Sequence, residues 1–166
     1  SDSIELLSNL EYLDLSQNDL TIFHVKLKNL TQLKHLNIGT NPIAEPDKIY
    51  NWLDALTQLQ SLHLDGLGLR RMPKNLGDFD QLTEFSFRLN KIKSIPADLW
   101  KLKQLTRLDL GANIIDTLPN ELGELQNLRF LSLERNEFTE VPHTIGLLTN
   151  LVELELGVNR IKSLPD

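Results

Sequence analysis

The chain has 166 residues, enough for one domain with a substantial core. It contains no cysteine, which excludes a disulfide framework, a thiolate zinc site and a cysteine nucleophile. Its net charge of −6 disfavours nonspecific binding to nucleic acid or to an anionic membrane, and no apolar run is long enough to insert into a bilayer.

One pattern recurs seven times along the chain, from LEYLDLSQNDL in the first copy to LVELELGVNRI in the last. Successive copies begin 23 residues apart, with a single interval of 26. A fixed period of this length predicts a solenoid, in which each coil is covered by its neighbours. The copies begin at Leu10, Leu33, Leu59, Leu82, Leu105, Leu128 and Leu151.

The centre of each copy alternates apolar and polar residues, which predicts a strand with one buried face. In the fourth copy, Phe85 and Phe87 should point into the core, while Glu84, Ser86 and Arg88 should point away from it. Stacking such strands gives a parallel sheet, which we expect to line the inside of an arc.

An asparagine follows the strand in every copy except the third. An amide both donates and accepts, so a stack of these side chains could satisfy the buried backbone of successive turns. The third copy has Leu67 at this position, and we therefore expect Leu67→Asn to stabilise the protein. The asparagines are Asn18, Asn41, Asn90, Asn113, Asn136 and Asn159.

The outer part of the later copies begins with a proline, at Pro96, Pro119 and Pro142, which suits a first helical position. Leucines three apart, such as Leu99 and Leu102, should pack inward from short helical turns.

The second copy has the longer segment EPDKIYNWLDALTQL. It predicts a longer convex helix with Asp47 as its N-cap. Trp52 in this helix either fills local space or forms a docking ridge.

The strand side chains that should point away from the core define a surface that we call the concave face. It comprises three outward positions in each copy and carries seven acidic and two basic residues, a net charge of −5. Such a surface favours a protein partner of basic or mixed charge and repels a phosphate backbone. The acidic residues are Asp14, Asp65, Glu84, Asp109, Glu134, Glu153 and Glu155.

Aromatic and arginine side chains usually contribute most of the energy of an interface. Phe130 is the most informative candidate, because a large apolar ring should be exposed there among polar neighbours. Alternatively, Glu84 beside Arg107 and Asp65 beside Arg88 form cross-strand pairs that hold the register. The predicted partner-binding residues are Tyr12, His35, His63, Arg88, Arg107, Phe130, Glu134 and Arg135.

Two histidines on neighbouring strands, His35 and His63, lie near Asp14 and Asp65 in this alignment. Imidazoles and carboxylates can bind zinc, and a histidine can act as a base. An open sheet, however, neither excludes water nor supplies oxyanion donors. We therefore expect no metal, no cofactor and no enzymatic activity.

The repeated L-x-x-L-x-L-x-x-N-x-L resembles the leucine-rich repeat over nearly the whole chain. The LP-x-x-L-x-x-L tails resemble the 23-residue class of intracellular scaffolds of the Ras-binding and Scribble type, and of bacterial repeat proteins that include secreted effectors. The resemblance implies an α/β solenoid: a horseshoe of seven repeats with a parallel concave sheet and short helical or 3-10 convex segments. It also implies that the concave face binds another protein.

We expect a single leucine-rich repeat domain over residues 1–166, and the lack of capping modules indicates a piece of a longer array. With no visible signal peptide, an intracellular protein or one secreted into a host cell is expected. A bacterial effector that acts on a host protein is slightly favoured over a signalling scaffold. The alternatives are a regulatory or targeting segment of a larger enzyme and a purely structural spacer.

Overall fold

The computed structural model describes residues 4–164. Their strands form one parallel sheet in chain order, and equivalent positions of successive coils lie side by side, as Glu84 lies beside Arg107. The predicted stack of seven repeats is therefore confirmed, with strands of three residues rather than the five of the alternating pattern. They are β1 (Tyr12–Asp14), β2 (His35–Asn37), β3 (Ser61–His63), β4 (Glu84–Ser86), β5 (Arg107–Asp109), β6 (Phe130–Ser132) and β7 (Glu153–Glu155).

The core is a column of leucines that successive coils cover. In β5 and just after it, Leu108 and Leu110 are buried while Arg107 is exposed, as the alternation predicts. Leu131 of β6 is 0% exposed, whereas the equivalent Leu154 of β7 is 38% exposed. The difference arises because the coil of β7 covers Leu131, whereas no described coil follows β7 to cover Leu154. Each coil therefore depends on the next one to bury its leucines.

The predicted asparagine ladder is confirmed. The side-chain amide of Asn113 donates to the carbonyl oxygens of Phe87 and Leu110, both at 3.0 Å, and its oxygen accepts from the N–H of Ile92 at 3.2 Å. Each such asparagine therefore joins its own turn to the preceding coil. The same bonding pattern recurs at Asn41, Asn90, Asn136 and Asn159.

The residue before each ladder position has a positive φ, between 52° and 62°. Glycine adopts this left-handed conformation without steric cost, yet only the third coil has a glycine there, Gly66. The turn thus imposes the same backbone conformation on residues with very different side chains. In the other six coils these residues are Gln17, Thr40, Leu89, Ala112, Arg135 and Val158.

The outer segments are mostly single turns of 3-10 helix, as expected. Pro96 has an extended ψ of 147° and lies at the N-cap of its 3-10 helix, as do Pro119 and Pro142. Each proline is thus one residue before the first helical position, where we predicted it. The fixed φ of proline is compatible with either position. The 3-10 helices are Ile4–Leu6, Val25–Asn29, Pro46–Ile49, Leu76–Asp78, Ala97–Lys101, Asn120–Glu124 and His143–Leu147.

The second coil has the longest helical segment, because its 3-10 helix continues directly into α1 (Tyr50–Leu53). The prediction of Asp47 as N-cap is wrong: Asp47 lies inside the 3-10 helix and binds Arg71 at 3.1 Å. Trp52 is 2% exposed and packs edge to face against Phe23, so it fills local space and is not itself a docking ridge.

Candidate functional site

The outward side chains of the seven strands form one continuous concave face. Seven of the eight predicted binding residues lie at these outward positions or directly after the strands, and they fall into two groups. Tyr12, His35 and His63 lie towards β1, and the rest lie on and after β4 to β6. Arg135 lies beyond the end of β6, where it is exposed and its Nε is 3.5 Å from Glu134.

The group near β1 is a row of stacked rings. The rings of Tyr12 and His35 are parallel within 3° and their centroids are 4.2 Å apart, and His35 is followed by His63 at 5.6 Å. Burial and the neighbouring His63 lower the pKa of His35, against the opposing effect of Asp14 and Glu84, which favours the neutral imidazole. The ring of Tyr12 is therefore held by its stacking on His35, and yet Tyr12 is 61% exposed to solvent.

The two carboxylates of this half are held by neutral donors. Asp14 accepts from the hydroxyl and the backbone N–H of Ser16 at 2.7 and 2.8 Å, and from the amide of Asn37 at 3.3 Å. The hydroxyl of Ser16 is the main reason that the pKa of Asp14 is lowered. Asp65 accepts from the hydroxyl of Ser86 at 2.6 Å and from the backbone N–H of Arg88 at 2.7 Å.

The group near β4 to β6 contains an arginine that is satisfied within the protein. Arg88 passes over Gly111 and binds Glu134, two coils away, at 2.9 Å, with Asp109 at 4.0 Å. A Cβ on Gly111 would lie 2.4 Å from the guanidinium of Arg88, so glycine keeps this path open. The expected side-chain pair of Arg88 with Asp65 is therefore wrong, because Asp65 binds the backbone of Arg88 and not its guanidinium.

Phe130 is not the exposed ring that the alternation predicts. The guanidinium of Arg107 lies 3.4 Å above its centroid, and Phe130 is only 7% exposed. Arg107 thus covers Phe130 in a cation–π contact instead of pairing with Glu84. Glu84 lies instead beside the hydroxyl of Ser61, which donates to its carboxylate at 3.4 Å. Sequence periodicity predicts the direction in which a side chain points. It does not predict whether a long neighbouring side chain, such as that of Arg107, folds over it.

Within residues 4–164, no group of three or more histidine, aspartate or glutamate side chains is arranged to hold a metal ion. None of the helices that the structure describes is long and apolar enough to cross a membrane.

The structure also contains an apolar groove that the sequence reasoning did not identify. It has a volume of about 530 Å³ and lies between the outer segments of the first two coils, where Ile22 and Val25 are exposed and Phe23, Ile43 and Trp52 form the floor. The one signal in the sequence is the 26-residue interval, since the longer second coil provides one wall.

Comparison with known proteins agrees with this architecture. The chain matches the leucine-rich repeat family over residues 80–138 and again over residues 9–30. A comparison with curated proteins finds no match. A leucine-rich repeat protein of Leptospira interrogans is 31% identical with a TM-score of 0.80, and the alignment covers 99% of this chain and 47% of that one.

Two further solved structures show the same likeness. An internalin of Listeria monocytogenes is 28% identical, with a TM-score of 0.79 and coverage of 96% of this chain and 45% of that one. The ectodomain of the Arabidopsis thaliana membrane receptor kinase GASSHO1/SCHENGEN3, in complex with Casparian strip integrity factor 2, is 29% identical, with a TM-score of 0.76 and coverage of 96% and 20%. The chain thus spans about half the length of the two bacterial proteins. With seven stacked coils, an asparagine ladder and these matches, the chain is a leucine-rich repeat protein.

Proposed function

We propose that this chain is a binding module that holds a protein partner on its concave face. The observation that carries the proposal is a preformed surface: the carboxylates of Asp14 and Asp65 are fixed by hydrogen bonds and the rings of Tyr12 and His35 by stacking, so little order must be gained there on binding. Leucine-rich repeat domains are in general protein interaction modules. The Arabidopsis receptor kinase and the plant peptide hormone receptor RGFR1, 26% identical to this chain, are both described as complexes, the latter with RGF2.

The partner should be basic or of mixed charge. Acidic residues exceed basic ones on the concave face by five, and its two arginines already lie on an internal ion pair and an internal ring. The surface therefore attracts cations and repels a nucleic-acid backbone.

We propose two settings for this module. In the first it belongs to a bacterial protein, which its likeness to the Leptospira and Listeria structures favours, and the proposed partner is a host protein. The ectodomain of the receptor kinase, of which this chain covers 20%, favours the second candidate, a regulatory or targeting segment of a larger enzyme or signalling scaffold. In both settings the repeat segment supplies recognition.

The test is an affinity capture with two charge-reversed variants. The immobilised chain captures partners from a lysate, which mass spectrometry identifies, and one partner is then purified for titration. Glu84→Lys with Glu153→Lys reverses two charges on the concave face, and Glu121→Lys with Glu140→Lys makes the same change in charge on the outer segments. We expect the first variant to lose the partner and the second to retain it.

The opposite ranking would reject the concave face as the binding surface. Equal binding by both variants and the wild type would also reject it, since a basic partner cannot be indifferent to four units of charge on its docking surface. Circular dichroism of both variants verifies that the fold is retained.

A further inference from the structure

We propose that the stacked rings of Tyr12 and His35 and the carboxylate of Asp14 form an arginine-binding subsite, which takes an arginine side chain of the partner. The inference rests on the proposed function in one respect only, that a partner docks on the concave face. It assigns the contact to the half of that face near β1, rather than to Arg107 and Phe130.

The first argument is the distribution of unneutralised charge. The outward positions on and just after β1 to β3 include Asp14 and Asp65 but neither lysine nor arginine. Both carboxylates are bonded by hydroxyl, amide and backbone donors, which leave their negative charge in place. Nearby Lys34 is engaged by Glu11 at 2.8 Å. The surface around Tyr12 is thus a part of the concave face whose negative charge a cation can still neutralise.

The second argument is the geometry of the rings. A guanidinium is planar and binds best where a flat ring face lies next to a carboxylate, because it can stack and form an ion pair at once. Tyr12 offers such a face, since it is 61% exposed and its orientation is fixed by the parallel ring of His35 at 4.2 Å. Asp14 is two residues further along the same strand, so both point to the same side of the sheet.

The third argument is that this protein already uses the same contact elsewhere. Phe130 occupies in β6 the position that Tyr12 occupies in β1, and the guanidinium of Arg107 covers it at 3.4 Å. The internal arginine lies on the strand before Phe130 and leaves it with 7% exposure, whereas the described residues contain no strand before β1 that could supply an arginine to Tyr12. The partner would supply for Tyr12 what Arg107 supplies for Phe130.

The probe for this subsite is Nα-acetyl-arginine amide, titrated into the isotope-labelled full chain and followed by NMR. We expect saturable shifts in the ring protons of Tyr12 and His35 and in the amide of Asp14, at millimolar probe. Nα-acetyl-lysine amide should bind several-fold more weakly, because an ammonium cannot stack as a plane. Nα-acetyl-glutamine amide should leave the shifts unchanged.

Two variants and a matched control locate the site. Asp14→Asn keeps an oxygen that can accept from Ser16 but removes the charge and the acceptor of the Asn37 amide, and Tyr12→Ala removes the ring; each should weaken arginine binding several-fold. Glu121→Gln removes one charge from an outer segment, away from the concave face, and should have no effect. Unchanged signals from β4 to β6 confirm that the variants are folded.

Equal shifts with the arginine and glutamine probes, or arginine binding that survives Asp14→Asn, would overturn the subsite. The protein partner separates this failure from failure of the proposed function. A partner lost with Glu84→Lys and Glu153→Lys but bound normally by Tyr12→Ala and Asp14→Asn would reject the arginine subsite and leave the concave face as the docking surface.

Discussion

At the scale of single residues, the turn after each strand places a left-handed residue where six coils have a side chain. Leu89 is one of them, with a φ of 55°, and Gly66 shows the unstrained solution in the third coil. A Cβ in this region costs about 1–2 kcal/mol, whereas glycine loses about 0.5–1 kcal/mol of backbone entropy. The strain should therefore outweigh the entropy.

We predict that Leu89→Gly is more stable than Leu89→Ala by about 0.5–1 kcal/mol, the reverse of the usual order of these two residues. Both variants remove the same exposed leucine side chain, so the comparison isolates the backbone. Urea unfolding of the two proteins measures the difference. An alanine variant that is the more stable of the pair would show that this turn carries no strain.

Leu67 shows how the structure changes an expectation from the repeat pattern. The sequence predicts that Leu67→Asn completes the ladder and stabilises the fold. In the structure Leu67 is buried, and Ile43, whose N–H would use the missing amide, already donates to the carbonyl of Asn41 at 2.8 Å. The substitution would thus remove apolar burial without rescuing an unpaired group.

For Leu67→Asn we now expect a loss of about 1–2 kcal/mol in the free energy of unfolding, since burying a leucine contributes about 1.5–3 kcal/mol and a net hydrogen bond about 1 kcal/mol. Thermal and urea unfolding would give this value. A gain in stability would restore the original expectation and show that the ladder outweighs the core contact.

Asp109 offers a prediction about pH. Burial raises the pKa of this carboxyl, although the N–H of Gly111 and the charge of Arg88 oppose the shift. A carboxyl whose pKa is higher in the folded chain than in the unfolded chain destabilises the fold once it ionises. This cost is absent below a pH of about 4, grows as the pH rises through the raised pKa, and persists at pH 7.

Asp109→Asn should therefore be modestly more stable than the wild type at pH 7, and the difference should vanish in acid. The new amide oxygen can still accept from Gly111, as Asn37 does from Gly39 at 3.1 Å in the second coil. Stability curves of both proteins between pH 3 and pH 7 provide the test. A less stable variant at neutral pH would mean that the pairing of Asp109 with Arg88 outweighs the cost of burial.

At the scale of the elements, the asparagine ladder is the main polar link between coils. Asn113→Ala would leave the buried N–H of Ile92 without its acceptor and remove donors to two coils. We expect a loss of about 2–3 kcal/mol. Asn18, which is exposed and bonds only to its own turn, is the control, and Asn18→Ala should cost less than about 1 kcal/mol.

Chemical denaturation compares the two asparagine variants directly. Similar losses in the free energy of unfolding for Asn113→Ala and Asn18→Ala would show that the hydrogen bonds to neighbouring coils add nothing to those within each turn. The asparagines would then stabilise only their own turns, and the coils would be joined by their leucines and strand backbones alone.

The strands and the ladder could be predicted because each depends on a short pattern that repeats in phase. The alternation around Leu108 decides which face is buried, and in every coil except the third an asparagine marks the turn. The outer segments were predicted less well, as Asp47 shows, because a longer coil has several ways to begin its helix and packing chooses among them.

The sequence predicted which face carries the candidate residues but not which contacts their side chains make. Periodicity places Arg88, Arg107 and Phe130 on the concave face, where the structure also has them. It does not show that Arg88 reaches across two coils to Glu134 or that Arg107 covers Phe130. Long flexible side chains choose partners by distance in three dimensions, which the repeat register alone does not encode.

At the scale of the whole molecule, the concave face has two unlike halves. Near β4 to β6, basic and aromatic groups are paired with one another, and such groups gain little from a partner. Near β1, rings and carboxylates are ordered but retain exposed surface and unneutralised charge. A rigid stack of coils presents both halves in fixed relation, so a basic segment lying across the strands would find unneutralised carboxylates near β1 and again on β7.

The most direct measurement is carboxyl footprinting of the chain with its captured partner, by carbodiimide labelling and mass spectrometry. The account predicts slower labelling of Asp14, Glu84 and Glu153 in the complex, with Glu121 and Glu140 of the outer segments unchanged. Protection confined to Glu121 and Glu140, with the strand carboxylates labelled as in the free chain, would contradict the claim that the concave face holds the partner.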